Sequence, residues 1–246
     1  MVRWVWLALF CSKLAQATAI VAVVFPGAVY IAADSRLTKT AASGGPATSS
    51  EGCKIVQTPV AAFAVSALSS DSRTGFDFGE ITRGALAAAS GPLDARIEEV
   101  EQALAPKMKA TVDGIRQDFP KLYESFRKGK VGQAVFAAWE DGHPVLIEDD
   151  WEITPEGEIH QERFRATDEQ NLLIIGSGGD AILRYVNQNS DWWKVPAPEA
   201  LDRLIHAAID DATATHADDV GGEIAILTID ANGQRWVRTG KCGEQR

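Results

Sequence analysis

The sequence predicts an α+β fold: two packed antiparallel sheets with a helical layer outside each, in a single domain. Three observations carry this. The hydrophobic period runs strands, helices, strands, helices, strands, with no internal repeat or linker between them. The strand segments are joined by short turn signals that suit hairpins. The chain has 246 residues, 46% hydrophobic and 24% charged. Those values allow a sizeable core and exclude a disordered, collagen-like or repeat-only chain.

Taken in order, Thr18 to Phe25 (TAIVAVVF) is a nearly continuous apolar run, expected of a strand buried on both faces. Pro26-Gly27 is a turn signal and Ala28 to Ala33 a second strand, so the pair reads as a hairpin. Thr38 to Gly52 is polar and rich in Ser, Ala and Gly, which predicts a loop. Lys54-Ile55-Val56 and Ala61 to Ala67 read as two short strands around Pro59. Phe78 to Ala89 predicts a helix that stops near Gly91-Pro92. From Leu93 to Phe126 apolar residues recur by threes and fours, one amphipathic face bent or broken near Pro106 and Pro120. From Gln133 the period returns to two, with Asp141-Gly142 and Glu156-Gly157 as turns. Leu172 to Ile175 is a buried strand that leads through Gly176-Ser177-Gly178-Gly179 into a short helix. Pro198 to Ala214 is another helix, and a hairpin around Ala231-Asn232-Gly233 closes the chain.

Residues 1–17 have the grammar of a signal peptide. Arg3 supplies a positive start, Trp4 to Cys11 an apolar run too short to span a bilayer, and Ala15-Gln16-Ala17 a small-x-small ending. The expected protein is therefore exported, periplasmic or secreted, with the domain spanning 18–246 and no membrane contact after removal. If 1–17 is instead a propeptide, a cytoplasmic location follows. Loss of Arg3 and Lys13 takes the net charge from −10 to −12, and no basic run is present, which disfavours a nucleic-acid partner. Export would place Cys53 and Cys242 where they could pair.

Cleavage after Ala17 would expose Thr18, and a terminal threonine is a self-contained catalytic unit. Its hydroxyl is the nucleophile and its own α-amine, with a reference pKa of about 7.7–8.0, the general base. A nearby lysine would depress that pKa further, and an aspartate could hold the lysine. Asp34 ends the second strand, whose hairpin returns it toward Thr18. Lys54 opens the third.

Thr18-Ala19-Ile20-Val21, then Ile31-Ala32-Ala33-Asp34-Ser35-Arg36, then Lys54-Ile55, together resemble the start of a proteasome β subunit. In that family the aspartate of an A-A-D-S-R motif follows the mature threonine by sixteen residues, as Asp34 follows Thr18 here. Gly176-Ser177-Gly178 is similar to the family's G-S-G segment, whose serine lies beside the terminal amine. Asp218-Asp219-Val220-Gly221-Gly222 resembles its late aspartate and glycine pair. The resemblance implies a four-layer αββα sandwich of the N-terminal-nucleophile hydrolase type, and a threonine-type peptidase or amidohydrolase working through an acyl-enzyme on Thr18. It implies Thr18, Asp34, Lys54 and Ser177 as catalytic residues, with Arg36, Asp218 and Asp219 in support. A backbone N–H at Ala67 is the implied oxyanion donor. No metal or organic cofactor is called for. The implied partners are a peptide or amide substrate and further copies of the chain in a ring.

Three departures stand out. Ala17, not Gly, precedes the threonine; Val220 stands where the family has a serine; and Val65-Ser66-Ala67-Leu68 lacks the family's glycine. Two alternative functions follow, a catalytically silent subunit or scaffold, and a small-amide acylase of the same fold. Other motifs carry less. Gly176-x-Gly178-x-x-Ala181 fits a loose dinucleotide fingerprint without a βαβ unit around it. His143, His160, His206 and His216 lack metal-ligand spacing and read as surface or capping residues. Asp149, Asp150 and Glu152 read as a solvated edge. Trp192-Trp193 suits an oligomer contact or a buried loop corner.

Overall fold

A computed structural model describes residues 18–39, 48–167, 171–217 and 219–245. The expected signal peptide 1–17 and Asp218 lie outside the described residues.

Strands β1 (Ile20–Phe25) and β2 (Ala28–Asp34) form the expected hairpin, with Ile20 opposite Ala33 and Phe25 opposite Ala28. The polar stretch expected to be a loop instead pairs at its flanks, β3 (Arg36–Lys39) against β4 (Thr48–Glu51). Every β4 side chain is exposed, so no alternation of burial marks this ribbon in the sequence. Then follow β5 (Ile55–Gln57), β6 (Ala62–Ala67), and a minimal pair, β7 (Ser70–Asp71) with β8 (Phe76–Asp77).

Helix α1 (Phe78–Ala88) is capped by Asp77, whose carboxylate accepts from the Glu80 N–H at 2.9 Å. α2 (Leu93–Asp118) runs unbroken through Pro106, because that proline lies on the exposed face, where solvent can take up the carbonyl it leaves. The expected break comes only at Pro120, the first residue of α3 (Pro120–Phe126), after Phe119 leaves helical geometry.

Next come the long strands β9 (Lys130–Glu140), β10 (His143–Ile153) and β11 (Ile159–Arg165), then β12 (Leu172–Ile175) and α4 (Gly179–Gln188). The chain continues through α5 (Ala197–Ala214), β13 (Ile224–Asp230) and β14 (Gly233–Arg238). Two short 3-10 turns, Trp192–Lys194 and Gly240–Gln245, went unpredicted. Trp192 packs into the first of them at 9% exposure, as a buried loop corner does, while Trp193 is 57% exposed.

The protein is α+β, with two five-stranded sheets of order β12-β1-β2-β13-β14 and β11-β10-β9-β6-β5, antiparallel at every described pairing. Three apolar clusters hold it together. Ile20, Ile31 and Leu227 of the first sheet meet Ile55, Val135 and Leu146 of the second. The other face of the second sheet packs Phe63, Phe136 and Trp151 on Leu86, Leu104 and Met108 of α1 and α2. The other face of the first packs Val21, Val23 and Ile226 on Ile182 of α4 and Leu201, Leu204 and Ile205 of α5. Each such side chain contributes roughly 1.5–3 kcal/mol by leaving water. Among the described residues no helix is long and apolar enough to cross a membrane.

Cys53 and Cys242 form a disulfide across 189 residues of sequence, Cα to Cα 4.6 Å, joining the segment before β5 to the last 3-10 turn. Lys241 supports the same junction, 3.5 Å from Glu51 and 3.3 Å from Glu223. Replacing both cysteines by serine is expected to lower folding stability by about 2–4 kcal/mol, the usual effect of opening a long disulfide loop. Denaturant unfolding measures this, and an unchanged midpoint would contradict it.

Candidate active site

The hairpin turn at Pro26-Gly27 brings the end of β2 alongside the start of β1. Asp34 thereby lies against Thr18 at one end of the first sheet, the N–H of Asp34 bonded to the carbonyl of Ala19 at 3.2 Å. Thr18 is 2% exposed, Asp34 1% and Lys54 7%. Asp34 collects donors on both carboxylate oxygens. Its Oδ1 accepts from the Ala19 N–H at 2.8 Å, Lys54 Nζ at 2.6 Å and Thr18 Oγ1 at 3.2 Å. Its Oδ2 accepts from the backbone N–H groups of Gly221 at 2.9 Å and Arg36 at 3.2 Å. A buried carboxylate with this many donors is held in one orientation.

Lys54 is dominated by burial, which pulls its ammonium down to about 8 against the opposing attraction of Asp34 and Asp219. Its charge therefore changes close to neutral pH, where an α-amine also titrates. Lys54 is fixed from behind as well: Cys53 carries the disulfide, and the Gly52 N–H donates to the Ser35 carbonyl at 2.9 Å.

Ser177 approaches from the β12–α4 turn. Its Oγ accepts from the Thr18 N–H at 3.4 Å, and the Gly178 N–H donates to the Thr18 carbonyl at 3.1 Å. The close approach depends on Gly176, whose φ is +94°. A Cβ built there would stand 2.3 Å from the Thr18 carbonyl oxygen.

The structure thus brings Thr18, Asp34, Lys54 and Ser177 into one hydrogen-bonded cluster, with Arg36 contributing its backbone and Asp219 its charge. Ala67 ends β6 in the other sheet, opposite Gly132, and no described hydrogen bond ties it to that cluster. Its φ of +75° is the left-handed conformation that favours glycine, although no glycine is present. Val220 is 4% exposed and packs in the apolar cluster against α5, so it offers the site no polar group.

One sequence reading needs correction. Asp149 and Asp150 are not a solvated edge: they are 0% and 5% exposed, because β10 is a central strand covered on both faces. Asp149 meets Arg163 at 3.0 Å, while Asp150 meets Gln133 and Lys130, each at 3.0 Å. Burial pushes Asp149 up to about 7, and burial reinforced by Asp150 pushes neighbouring Glu148 up to about 8. Glu152 alone of the three is exposed. The dinucleotide fingerprint lacks its frame, since β12 pairs antiparallel with β1. All four histidines are exposed, as surface residues are.

Sequence reasoning missed the Ala19 and Gly221 N–H groups on Asp34, and it missed Gln133. Gln133 carried a signal: it is the polar member of an inward row with Val135, Ala137 and Trp139. No protein-family model matches the chain, and a search of curated proteins returns no significant match.

Proposed function

We propose that this protein is an exported threonine-type N-terminal-nucleophile hydrolase that cleaves a peptide or other amide bond through an acyl-enzyme on Thr18. The observation that carries the reading is the buried contact of Thr18 Oγ1 with Asp34, which also holds Lys54 Nζ at 2.6 Å. Two sheets face to face, with α1–α3 outside one and α4–α5 outside the other, fit the four-layer αββα sandwich of that hydrolase type. The Cys53–Cys242 disulfide is compatible with an oxidising compartment.

In this mechanism the Thr18 hydroxyl attacks the scissile carbonyl and its proton passes to the freed α-amine. The Lys54 ammonium lowers the pKa of that amine, and Asp34 orients Lys54. Ser177 holds the amine, and a backbone N–H at Ala67 stabilises the oxyanion. The amine then gives its proton to the leaving nitrogen as the C–N bond breaks, and water releases the acyl group by the reverse sequence. Peptides and small amides are both accommodated by this chemistry, and ring assembly of several copies is the arrangement the family resemblance implies.

Covalent labelling tests the reading. A β-lactone that acylates terminal threonine is expected to add its mass to the tryptic peptide 18–36, which trypsin leaves whole because Arg36 is the first basic residue after Ala17. Thr18→Ala is expected to abolish labelling and Thr18→Ser to retain part of it. Active protein labelled elsewhere would overturn the threonine mechanism. Processed, assembled protein that takes no label and cleaves nothing would favour the silent scaffold.

A further inference from the structure

We propose that Gln133, oriented by Asp150, is a positioning residue that holds the Gly176–Ser177 turn against Thr18 from the opposite sheet. The inference rests on Thr18 as the nucleophile. Gln133 belongs to β9 and is 8% exposed. Its Oε1 accepts from the Gly176 N–H at 3.1 Å, and its Nε2 donates to Asp150 Oδ1 at 3.0 Å. The second oxygen of Asp150 lies 3.0 Å from Lys130 Nζ, and Lys130 also pairs with Glu152. A chain of bonds therefore crosses from β10 through Gln133 to the turn between β12 and α4.

The direction of every bond in that chain is fixed. A side-chain amide can be turned either way, and only one way presents an acceptor to Gly176. The Gly176 N–H can only donate, so it takes the carbonyl oxygen, and the NH2 group goes to Asp150 Oδ1, whose other oxygen faces Lys130. What Gly176 anchors is the contact surface of Thr18. Its own backbone fits against the Thr18 carbonyl with no room for a Cβ, Ser177 Oγ follows at 3.4 Å from Thr18 N, and the Gly178 N–H holds the Thr18 carbonyl at 3.1 Å. A hydrophobic residue at 133 would fill the same inter-sheet space beside Val135 and Ala137. It would not set the turn. The geometry therefore gives the polar side chain a task that packing does not need.

Four variants of the full processed chain test this against a filler role. Gln133→Met keeps the length and loses both bonds; kcat is expected to fall by about tenfold to a hundredfold with KM within about twofold. Gln133→Glu sets two carboxylates against each other and is expected to fall similarly at neutral pH. Adding Asp150→Asn to Gln133→Glu is expected to restore most of the rate, because the new amide donates to the new carboxylate, which still accepts from Gly176. Asp150→Asn alone still accepts from Gln133 and is expected to stay within about threefold of the parent. A Gln133→Met enzyme with unchanged kcat, or a double variant no better than Gln133→Glu alone, would overturn the proposal.

Amide hydrogen exchange at Gly176 reads the strut without reference to turnover. It is expected to quicken by about tenfold or more in Gln133→Met and to stay slow in Asp150→Asn. Equal exchange in Gln133→Met and the parent would overturn the strut. An inert, unlabelled parent protein would instead overturn the threonine reading and leave the exchange result standing.

Discussion

Lys54→Ala in the processed protein is expected to lower turnover by at least about a hundredfold, the usual scale for losing acid–base assistance. The fold should survive, because Asp34 keeps three backbone donors, from Ala19, Arg36 and Gly221, when the ammonium is removed. Circular dichroism and the size of the assembly check that point. The pH profile distinguishes a tuning lysine from a merely structural one. Burial pulls Lys54 down to about 8, so the parent rate is expected to decline above that pH as the ammonium loses its charge. The rate also declines on the acid side as the α-amine, with a reference pKa of about 7.7–8.0 lowered by Lys54, takes up a proton. The profile is therefore a narrow bell, and Lys54→Ala should lose its alkaline limb. Stability changes in the opposite sense. The folded-state pKa lies below the ordinary 10.5, so the unfolded chain binds more protons between those values and stability rises with pH across that window. Turnover in a folded Lys54→Ala enzyme that matches the parent would remove Lys54 from the mechanism.

An effect of at least comparable size is expected from the other end of the same unit. A chain made with Ala17 retained ahead of Thr18 should turn over at least about a thousandfold more slowly than one that begins at Thr18, the scale of losing the base from a catalytic unit. The argument is chemical. Thr18 Oγ1 keeps Asp34, and the Thr18 carbonyl keeps Gly178, but an amide nitrogen at Thr18 has no basic lone pair to take the hydroxyl proton. Comparable rates for the two chains would mean that some other group acts as the base.

The legible parts of this fold were those whose physics is local. The β1–β2 hairpin follows from an apolar run, Pro26-Gly27 and a second apolar run, and α2 follows from its stripe of Ile97, Val100, Leu104 and Met108. The cluster of Thr18, Asp34 and Lys54 was legible because the hairpin fixes Asp34 against β1, a motif spacing marks Thr18 and Asp34, and Lys54 opens the next strand segment as the resemblance implies. The β3–β4 ribbon was not, since its exposed side chains leave no periodic trace. Nor was the burial of Asp149 and Asp150, since three consecutive polar residues look alike on an edge strand and on the central strand that β10 became. That Cys53 and Cys242 meet, and that Gln133 reaches Gly176, are facts of how distant segments and two sheets come together, which no local pattern encodes. Pro106 does not end α2: the helix continues on both sides of it, with the proline on the exposed face.

The most direct test is the intact mass of the protein in its active form, purified from a host that exports it and measured before and after β-lactone labelling. A terminal threonine mechanism predicts the mass of a chain beginning at Thr18, shifted by one label. An active chain whose mass retains any residue ahead of Thr18 would contradict it.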